Sequence, residues 1–542
     1  MKHFAPLYIG IPGAHGTLTR ETAGAKAWEL ARMSALGLNV PPAFVLPTSL
    51  CAAVNQNDPK ALDVLAHGLR QGIARLEGAT GKGFGDARAP LLVSVRSGAA
   101  QSMPGMLETI LDVGLNPASL CGLIGETGNP RLAWDCCRRF IQMYGEVVHG
   151  APASVFEACL TKMLKREAVA NESQLDPEAL ERLALQFRQA AFAAIGQSIP
   201  DEPLAQLNAA AQAVFCSWES ARAKEYRRLN GLEGLEGTAV TVQAMVFGNA
   251  GGKSGAGVAF SRNPATGEPG LYADFLFNAQ GEDVVAGRRM PGGAKLLAER
   301  LPSIATELTA GAAQLEAAFK DVQDIEFTVE QGRLFFLQTR PAKRSPRAAL
   351  RILVDFVREG VLDPATAVAR AETIDLTQAR LTRFADTRPA LAHAISAAPG
   401  VASARAVFTS ARAQEFAARG EKVILVRHDT STEDVAGFAV AAGILTAVGG
   451  RTAHAAVVAR QLGKVCLVGC QDLLLAPDGQ SADIAGEAVH EGDFLSLDGE
   501  NAAVTLGQRE IIAEMPEAEL AELAAWRDAK GAVASPAHKA GA

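Results

Sequence analysis

The segment GGRTAHAAVVARQLGKVCLVGC, residues 449–470, decides how the C-terminal part of this 542-residue chain folds. Gly449 and Gly450 follow the apolar run AGILTAV (442–448) and precede an Ala/Val-rich stretch, which reads as strand, glycine turn and short helix beginning near His454. A histidine at a helix start faces unpaired backbone N–H groups and the positive end of the helix dipole. Both favour a neutral, nucleophilic imidazole and would stabilise a phosphoryl group attached to it. Thr452 offers a hydroxyl, and Arg451 or Arg460 could add charge. A satisfied turn histidine explains the same residue as well, and the segment alone leaves both readings open. Cys466 and Cys470, in KVCLVGC, read as small core residues on a strand rather than as half of a metal site, because no second pair accompanies them.

Outward from this segment the chain divides into blocks. Residues 401–510 alternate short strands and helices (KVILVRH, AGILTAV, HAAVVARQLG, VCLVGC, FLSLDG), a compact α/β unit of normal domain size. Residues 346–400 read as a helical connector. PRAALRILVDFVREG forms an amphipathic helix closed by Gly360, Asp363-Pro364 caps and starts the next, and LTRFADTRPALAHAISAAPG (381–400) has the polar, Pro-containing character of a linker or hinge. Residues 1–345 mix both patterns. Helices dominate 130–230, and strands return at GTAVTVQAMVFG, GAGVAFSRN and DIEFTVEQGRLFFLQTR. The tail, 511–542, holds one helix, MPEAELAELAAWRDA, before an Ala/Lys-rich end.

DIEFTVEQGRLFFLQTR (324–340) is a hairpin with its turn at Glu330-Gln331-Gly332. A three-residue loop with Gly332 left-handed places Asp324 opposite Gln338 and Glu326 opposite Phe336. Asp324, Glu326, Gln338 and Arg340 then share one face, and Ile325, Phe327, Val329, Phe335 and Leu337 the other. Two carboxylates two apart on a strand suit a hard cation such as Mg²⁺, and a neighbouring arginine suits phosphate oxygens. Cross-strand ion pairs on an ordinary hairpin fit the segment equally well. LLVSVRSGAAQSMPGMLETI (91–110) starts as a strand and delivers Arg96 into a Gly/Ser/Pro-rich loop able to offer N–H groups to phosphate. FGNAGGKSGAG (247–257) contains Gly-Lys-Ser, but Phe247 stands where a Walker A loop needs its first glycine. It reads as a glycine-rich hairpin loop between two strands.

The bulk composition narrows the function. With 48% hydrophobic and 20% charged residues and a net charge of −7, the chain is an ordinary soluble globular protein of about three or four folding units. This charge balance does not suggest the basic stripe that neutralises a phosphate backbone, and nucleic acid is not expected as a partner. There is no signal-peptide pattern and no apolar run of membrane-spanning length, and eight scattered cysteines read as reduced thiols, so a cytoplasmic protein is expected.

Seven segments in order carry a resemblance: VPPAF (40–44), LLVSVRSGAAQSMPGMLETILDVGLN (91–116), RRFIQMYGEVV (138–148), GTAVTVQAMVFGN (237–249), NAQGEDVVAG (278–287), QDIEFTVEQGRLFFLQTRPAKR (323–344) and residues 449–470. Together they resemble the pyruvate phosphate dikinase family of phosphoenolpyruvate-utilising enzymes over roughly residues 20–510, more closely than phosphoenolpyruvate synthase or rifampin phosphotransferase. The resemblance implies a multidomain α/β and α+β fold. Residues 1–345 would be an ATP-grasp nucleotide domain with a helical insertion at about 130–230, and 346–400 a helical linker or hinge. Residues 401–510 would be a swivelling phosphohistidine domain, and 511–542 a C-terminal helix and tail. It implies ATP and Mg²⁺ as cofactors, inorganic phosphate as co-substrate, and a homodimer as one arrangement. His454 would be the phosphorylated residue, with Thr452 beside it. Lys26, in GAKA where the family has GGKGA, and Arg96 would hold phosphates, and Glu282, Asp324, Glu326, Gln338 and Arg340 would line the nucleotide site. Asp324 and Glu326 would take the metal.

Three features depart from the family pattern. Asp274 in LYADF stands where the family usually has Glu, and Arg451 and Ala453 replace the usual Met and Ser. The family's phosphoenolpyruvate/pyruvate barrel is also missing: 542 − 510 leaves 32 residues after Glu510, and such a barrel needs about 200 or more. A separate chain or domain is therefore expected to supply the acceptor. A kinase with an alcohol or phenol acceptor and a non-catalytic nucleotide-sensing protein are the alternative expectations.

Overall fold

The computed structural model describes residues 6–11, 18–101, 103, 107–285, 292–376, 379–429, 434–450, 454–476 and 479–533. The chain forms two compact units. Residues 1–254 and 328–339 make the first, and 255–327 and 340–542 the second.

In the first unit, strands β1 (Leu7–Ile9), β2 (Ala43–Leu46), β3 (Val93–Ala99), β4 (Thr109–Val113) and β5 (Thr238–Ala244) form an antiparallel sheet in the order β1-β2-β5-β3-β4. Arg96 lies within β3, paired with Thr241 and Thr109, so it is held by a central strand rather than by the loop expected of it. Helix α1 (Arg20–Ala35) packs on β3. The 130–230 region is helical as read. Helices α2 (Pro130–Val147) and α3 (Pro177–Ile195) each begin with a proline behind a capping side chain, Asn129 and Asp176.

α2 buries charge as well as apolar residues. Asp135, 3% exposed, accepts from Arg138 Nη2 at 2.7 Å, Arg139 Nε at 3.1 Å and Asn249 Nδ2 at 3.0 Å. Burial raises the pKa of Asp135, but Arg139 and Arg138 overcome this and hold it well below the usual carboxylate range. Asn249 comes from FGNAGGKSGAG, which is not a hairpin loop. The strands it joins belong to different sheets, so the loop is a connection that ties back to α2.

The second sheet contains β6 (Gly255–Arg262), β7 (Pro269–Phe277), β8 (Gly292–Gly293), β9 (Gln323–Glu330) and β10 (Arg333–Pro341), in the order β8-β7-β6-β9-β10. The turn between β9 and β10 corrects the expected three-residue loop. Only Gln331 and Gly332 separate the strands, with φ of 48° and 79°. Two successive left-handed residues make a two-residue type I′ turn, which shifts the pairing parity by one. Accordingly Leu334 and Phe336 are the buried residues of β10, whereas Phe335 and Leu337 are partly exposed.

The third sheet has eight strands: β11 (Ala392–His393), β12 (Ile395–Ala398), β13 (Val401–Val407), β14 (Val423–Arg427), β15 (Gly443–Thr446), β16 (Val465–Val468), β17 (Phe494–Asp498) and β18 (Ala503–Leu506), in the order β11-β18-β17-β13-β14-β15-β16-β12. β13 to β16 are mutually parallel, and parallel neighbours require crossover connections. The connection from β15 to β16 contains α4 (His454–Gln461), which places His454 at the start of a crossover helix beyond the carboxyl end of β15. Cys466 and Cys470 are buried thiols, their pKa values pushed up by burial to about 12 and about 11, as core residues should be.

The connector reads correctly at its start. α5 (Pro346–Arg358) is followed by Gly360 at φ 74°, and α6 (Pro364–Ala371) is capped by Asp363. Its second part is not only a linker. Leu381–Phe384 pairs with Ile511–Glu514, and β11 and β12 are strands of the third sheet, where the small residues Ala397 and Ala398 are buried.

Asp135→Asn should destabilise the first unit by about 3–5 kcal/mol, because two buried guanidinium groups lose the carboxylate they share. The depressed pKa gives the carboxylate a stabilising contribution that is complete above the unfolded value of about 3.9 and is lost as pH falls below it. Calorimetry at pH 7 and pH 3 should therefore find a wild-type-minus-variant difference that is large at the first pH and smaller at the second. Equal unfolding temperatures at pH 7 would contradict the network's role.

Candidate active site

In the first unit, Lys26 is positioned by a backbone approach. α1 is interrupted at Gly24 (φ 77°, ψ 159°), where a Cβ would stand 2.1 Å from the Gly98 carbonyl oxygen of β3. Only glycine permits this contact in this conformation. The helix resumes immediately, carrying half-buried Lys26 beside Gly98, two residues from Arg96 on the same strand. Arg96 Nη2 donates to Gln338 Oε1 at 3.3 Å, and Gln338 is itself buried. Lys26, Arg96 and Gln338 are thus gathered at one place, two cations and an amide.

In the second unit, Asp324 lies on β9 and is 6% exposed. Its Oδ2 accepts from Arg340 Nε at 2.8 Å, and Arg340 Nη1 is 3.9 Å from Glu326 Oε1. Asp324 Oδ1 is buried and has no hydrogen-bond partner among the described residues. Burial raises the Asp324 pKa and Glu326 adds to the rise, while Arg340 and Arg460 oppose it. An anionic oxygen without a donor in a dry setting is costly, and a cation relieves that cost. Asp324 and Glu326 fit Mg²⁺, which takes one or two carboxylates and fills its remaining positions with phosphate oxygens and water.

Gln338 meets Arg96, whereas Asp324, Glu326 and Arg340 form the carboxylate group. Glu282 lies in the short helix Gly281–Val285, which packs on β6 and β7. Asp274 is buried on β7, its backbone paired with Val258.

His454 opens α4, and its side chain, together with Arg451, Thr452 and Ala453, lies outside the described residues. Arg460 does not supply charge at the helix start. Six residues on, roughly 9 Å along the axis, it is 1% exposed and donates from Nη1 to Ala397 O at 3.0 Å. Its guanidinium lies over the Phe260 ring at 5.4 Å and interacts electrostatically with Asp324 and Asp274. Residue spacing along a helix already implies the opposite-end placement. The burial of Arg460 had no local signal.

Residues 63–305 and 295–359 match the family described as pyruvate phosphate dikinase, AMP/ATP-binding domain, and residues 419–502 match the PEP-utilising enzyme, mobile domain. The chain belongs to the pyruvate phosphate dikinase family. It is 44% identical over 447 residues to the chloroplastic pyruvate, phosphate dikinase of Flaveria pringlei, covering 82% of this chain and 47% of that protein. Identity to the pyruvate, phosphate dikinase of Clostridium symbiosum is 45% over 455 residues, covering 82% and 52%. Pyruvate, phosphate dikinase 2 of Zea mays is 44% identical over 451 residues, with 82% and 51% covered. The chain therefore spans about half the length of these relatives. Among the described residues, no helix is long and apolar enough to cross a membrane.

Asp324→Asn removes a buried charge while Arg340 keeps access to solvent. The metal-free variant should therefore unfold within about 1 kcal/mol of wild type. The thermal stabilisation given by Mg²⁺ and ATP should be lost. A variant stabilised by Mg²⁺ and ATP as fully as wild type would exclude Asp324 from the cation site.

Proposed function

We propose that this chain carries out the nucleotide half of a pyruvate phosphate dikinase reaction. It binds ATP with Mg²⁺ and, with inorganic phosphate as co-substrate, transfers the β-phosphoryl group to His454 and yields AMP and pyrophosphate. The observation that carries this reading is the buried, partnerless Oδ1 of Asp324 beside Glu326, in a chain whose family has an AMP/ATP-binding domain. Support also comes from the grouping of Lys26 and Arg96, and from a histidine at the N-terminus of a crossover helix within the matched mobile domain. The domain division follows the family plan: 1–345 as the ATP-grasp nucleotide domain, 346–400 as the hinge, 401–510 as the phosphohistidine domain and 511–542 as a terminal helix and tail.

In this mechanism Lys26 and Arg96 hold phosphate oxygens, orient the chain of phosphates and offset its negative charge as the bond to the leaving AMP breaks. Gln338 keeps the Arg96 guanidinium in place. Asp324 and Glu326 hold Mg²⁺, which when bound neutralises phosphate charge, and Arg340 fixes the Asp324 carboxylate. Glu282 completes the nucleotide-binding set. The neutral His454 imidazole attacks with its ring nitrogen, and the helix N-terminus favours the anionic phosphoryl group it then carries. Inorganic phosphate accepts the γ-phosphoryl, so that one ATP and one phosphate give AMP, pyrophosphate and phosphohistidine. Thr452 donates a hydroxyl beside the histidine. The phosphoryl group passes to pyruvate, or another acceptor, held by a separate chain or domain, and the protein works in the cytoplasm, with a homodimer as one arrangement.

Incubation with β-labelled ATP, Mg²⁺ and phosphate should give an acid-labile, base-stable label on His454. His454→Ala should abolish it while leaving ATP affinity within about 1.4 kcal/mol, a tenfold change. Folded, nucleotide-bound protein that takes no label would favour a nucleotide-sensing role instead.

A further inference from the structure

A cavity of about 240 Å³ in the second unit, lined by residues other than those of the nucleotide set, has charged walls of a single sign. Arg347, Arg380, Arg460 and Lys464 line it, the hydroxyl residues Ser345 and Thr382 are among the rest, and no Asp or Glu is among the described lining residues. Clustered cations normally spread over a solvated face, where water screens their repulsion. Here Arg380 is exposed and Arg347 partly so, but Arg460 is 1% exposed and burial pushes the Lys464 pKa down. Arg347 pairs with Glu500 at 3.1 Å. Arg460 donates to the Ala397 carbonyl. Arg380 and Lys464 make no ion pair or side-chain hydrogen bond with a described residue. Arg460 also interacts with Asp324 and Asp274, so the positive charge left for an anion is that of Arg380 and Lys464.

We propose that this cavity binds a phosphate-class anion, orthophosphate or pyrophosphate, at residues separate from those that hold the nucleotide. Guanidinium groups match tetrahedral oxyanions in bidentate fashion, the lysine adds a point charge, and the Thr382 hydroxyl, which accepts from Val401 N, can donate to a remaining oxygen. The walls come from two parts of the chain. Ser345, Arg347, Arg380 and Thr382 belong to the stretch leading into the third sheet, and Arg460 and Lys464 lie at the end of α4 and just beyond it. A bound anion ties the two together at the end of α4 opposite His454. If His454 shuttles phosphoryl groups as proposed above, such an anion regulates that movement; the binding site itself does not depend on that reading.

The test uses the full chain carrying Lys26→Ala and Arg96→Ala, to silence phosphate binding at the nucleotide set. Equilibrium dialysis with labelled orthophosphate and, separately, labelled pyrophosphate should retain one saturable site per chain for at least one anion. The tighter binder identifies the source. Adding Arg380→Ser and Lys464→Ser should weaken it at least tenfold, while the charge-keeping pair Arg380→Lys and Lys464→Arg stays within about threefold of the unaltered cavity, a smaller loss than 1.4 kcal/mol. Absence of saturable binding for both anions, or binding indifferent to the Ser pair, overturns the proposal. ATP affinity of the Ser pair in the otherwise wild-type chain should be unchanged. Failure of the wild-type chain to bind ATP would strike the proposed function and leave the anion site standing.

Discussion

The burial of Asp324 is the constraint on which the second unit's chemistry depends. A carboxylate with one oxygen on Arg340 and the other without a donor among the described residues sits in an environment that raises its pKa. A fold optimised only for stability would replace such a group with an apolar residue of similar size. Its retention makes sense if the missing partner arrives with the ligand. The same residue interacts with Arg460, which lies near the C-terminal end of the helix that His454 begins.

The first unit meets a different demand, bringing two cations to one spot without a loop that could wander. The Gly24–Gly98 approach lets a helix and a central strand come closer than side chains would allow, and Lys26 and Arg96 inherit rigid backbones from those two elements. Binding groups held on regular elements are more closely fixed than groups held on loops. The strand β10 then runs from Gln338, in the first unit, to Arg340, in the second, so a single strand supplies residues to both groups.

Much of this was legible in the residues, and the failures share a cause. Gly360 and Asp363-Pro364 gave helix ends correctly because capping is local. In sequence Arg96 precedes Ser97-Gly98, a loop signal. A glycine within a strand can instead mark close approach by another backbone, and here the approaching element is 74 residues upstream. The hairpin parity failed on Gln331, a non-glycine residue in a left-handed conformation that residue type does not announce. FGNAGGKSGAG looked like a hairpin loop because its flanking strands are close in sequence, yet they join different sheets. The Asn249 bond to Asp135 and the Ala397 bond of Arg460 are invisible for the same reason, since those partners lie far along the chain, whereas Arg138 and Arg139 are one helical turn from Asp135.

The account is tested most directly by counting nucleotide products in a single turnover, with protein in excess over ATP and with Mg²⁺ and inorganic phosphate present. A dikinase half-reaction predicts AMP and pyrophosphate in equal amounts and no ADP. ADP as the sole nucleotide product would mean transfer of the γ-phosphoryl alone and would contradict the account.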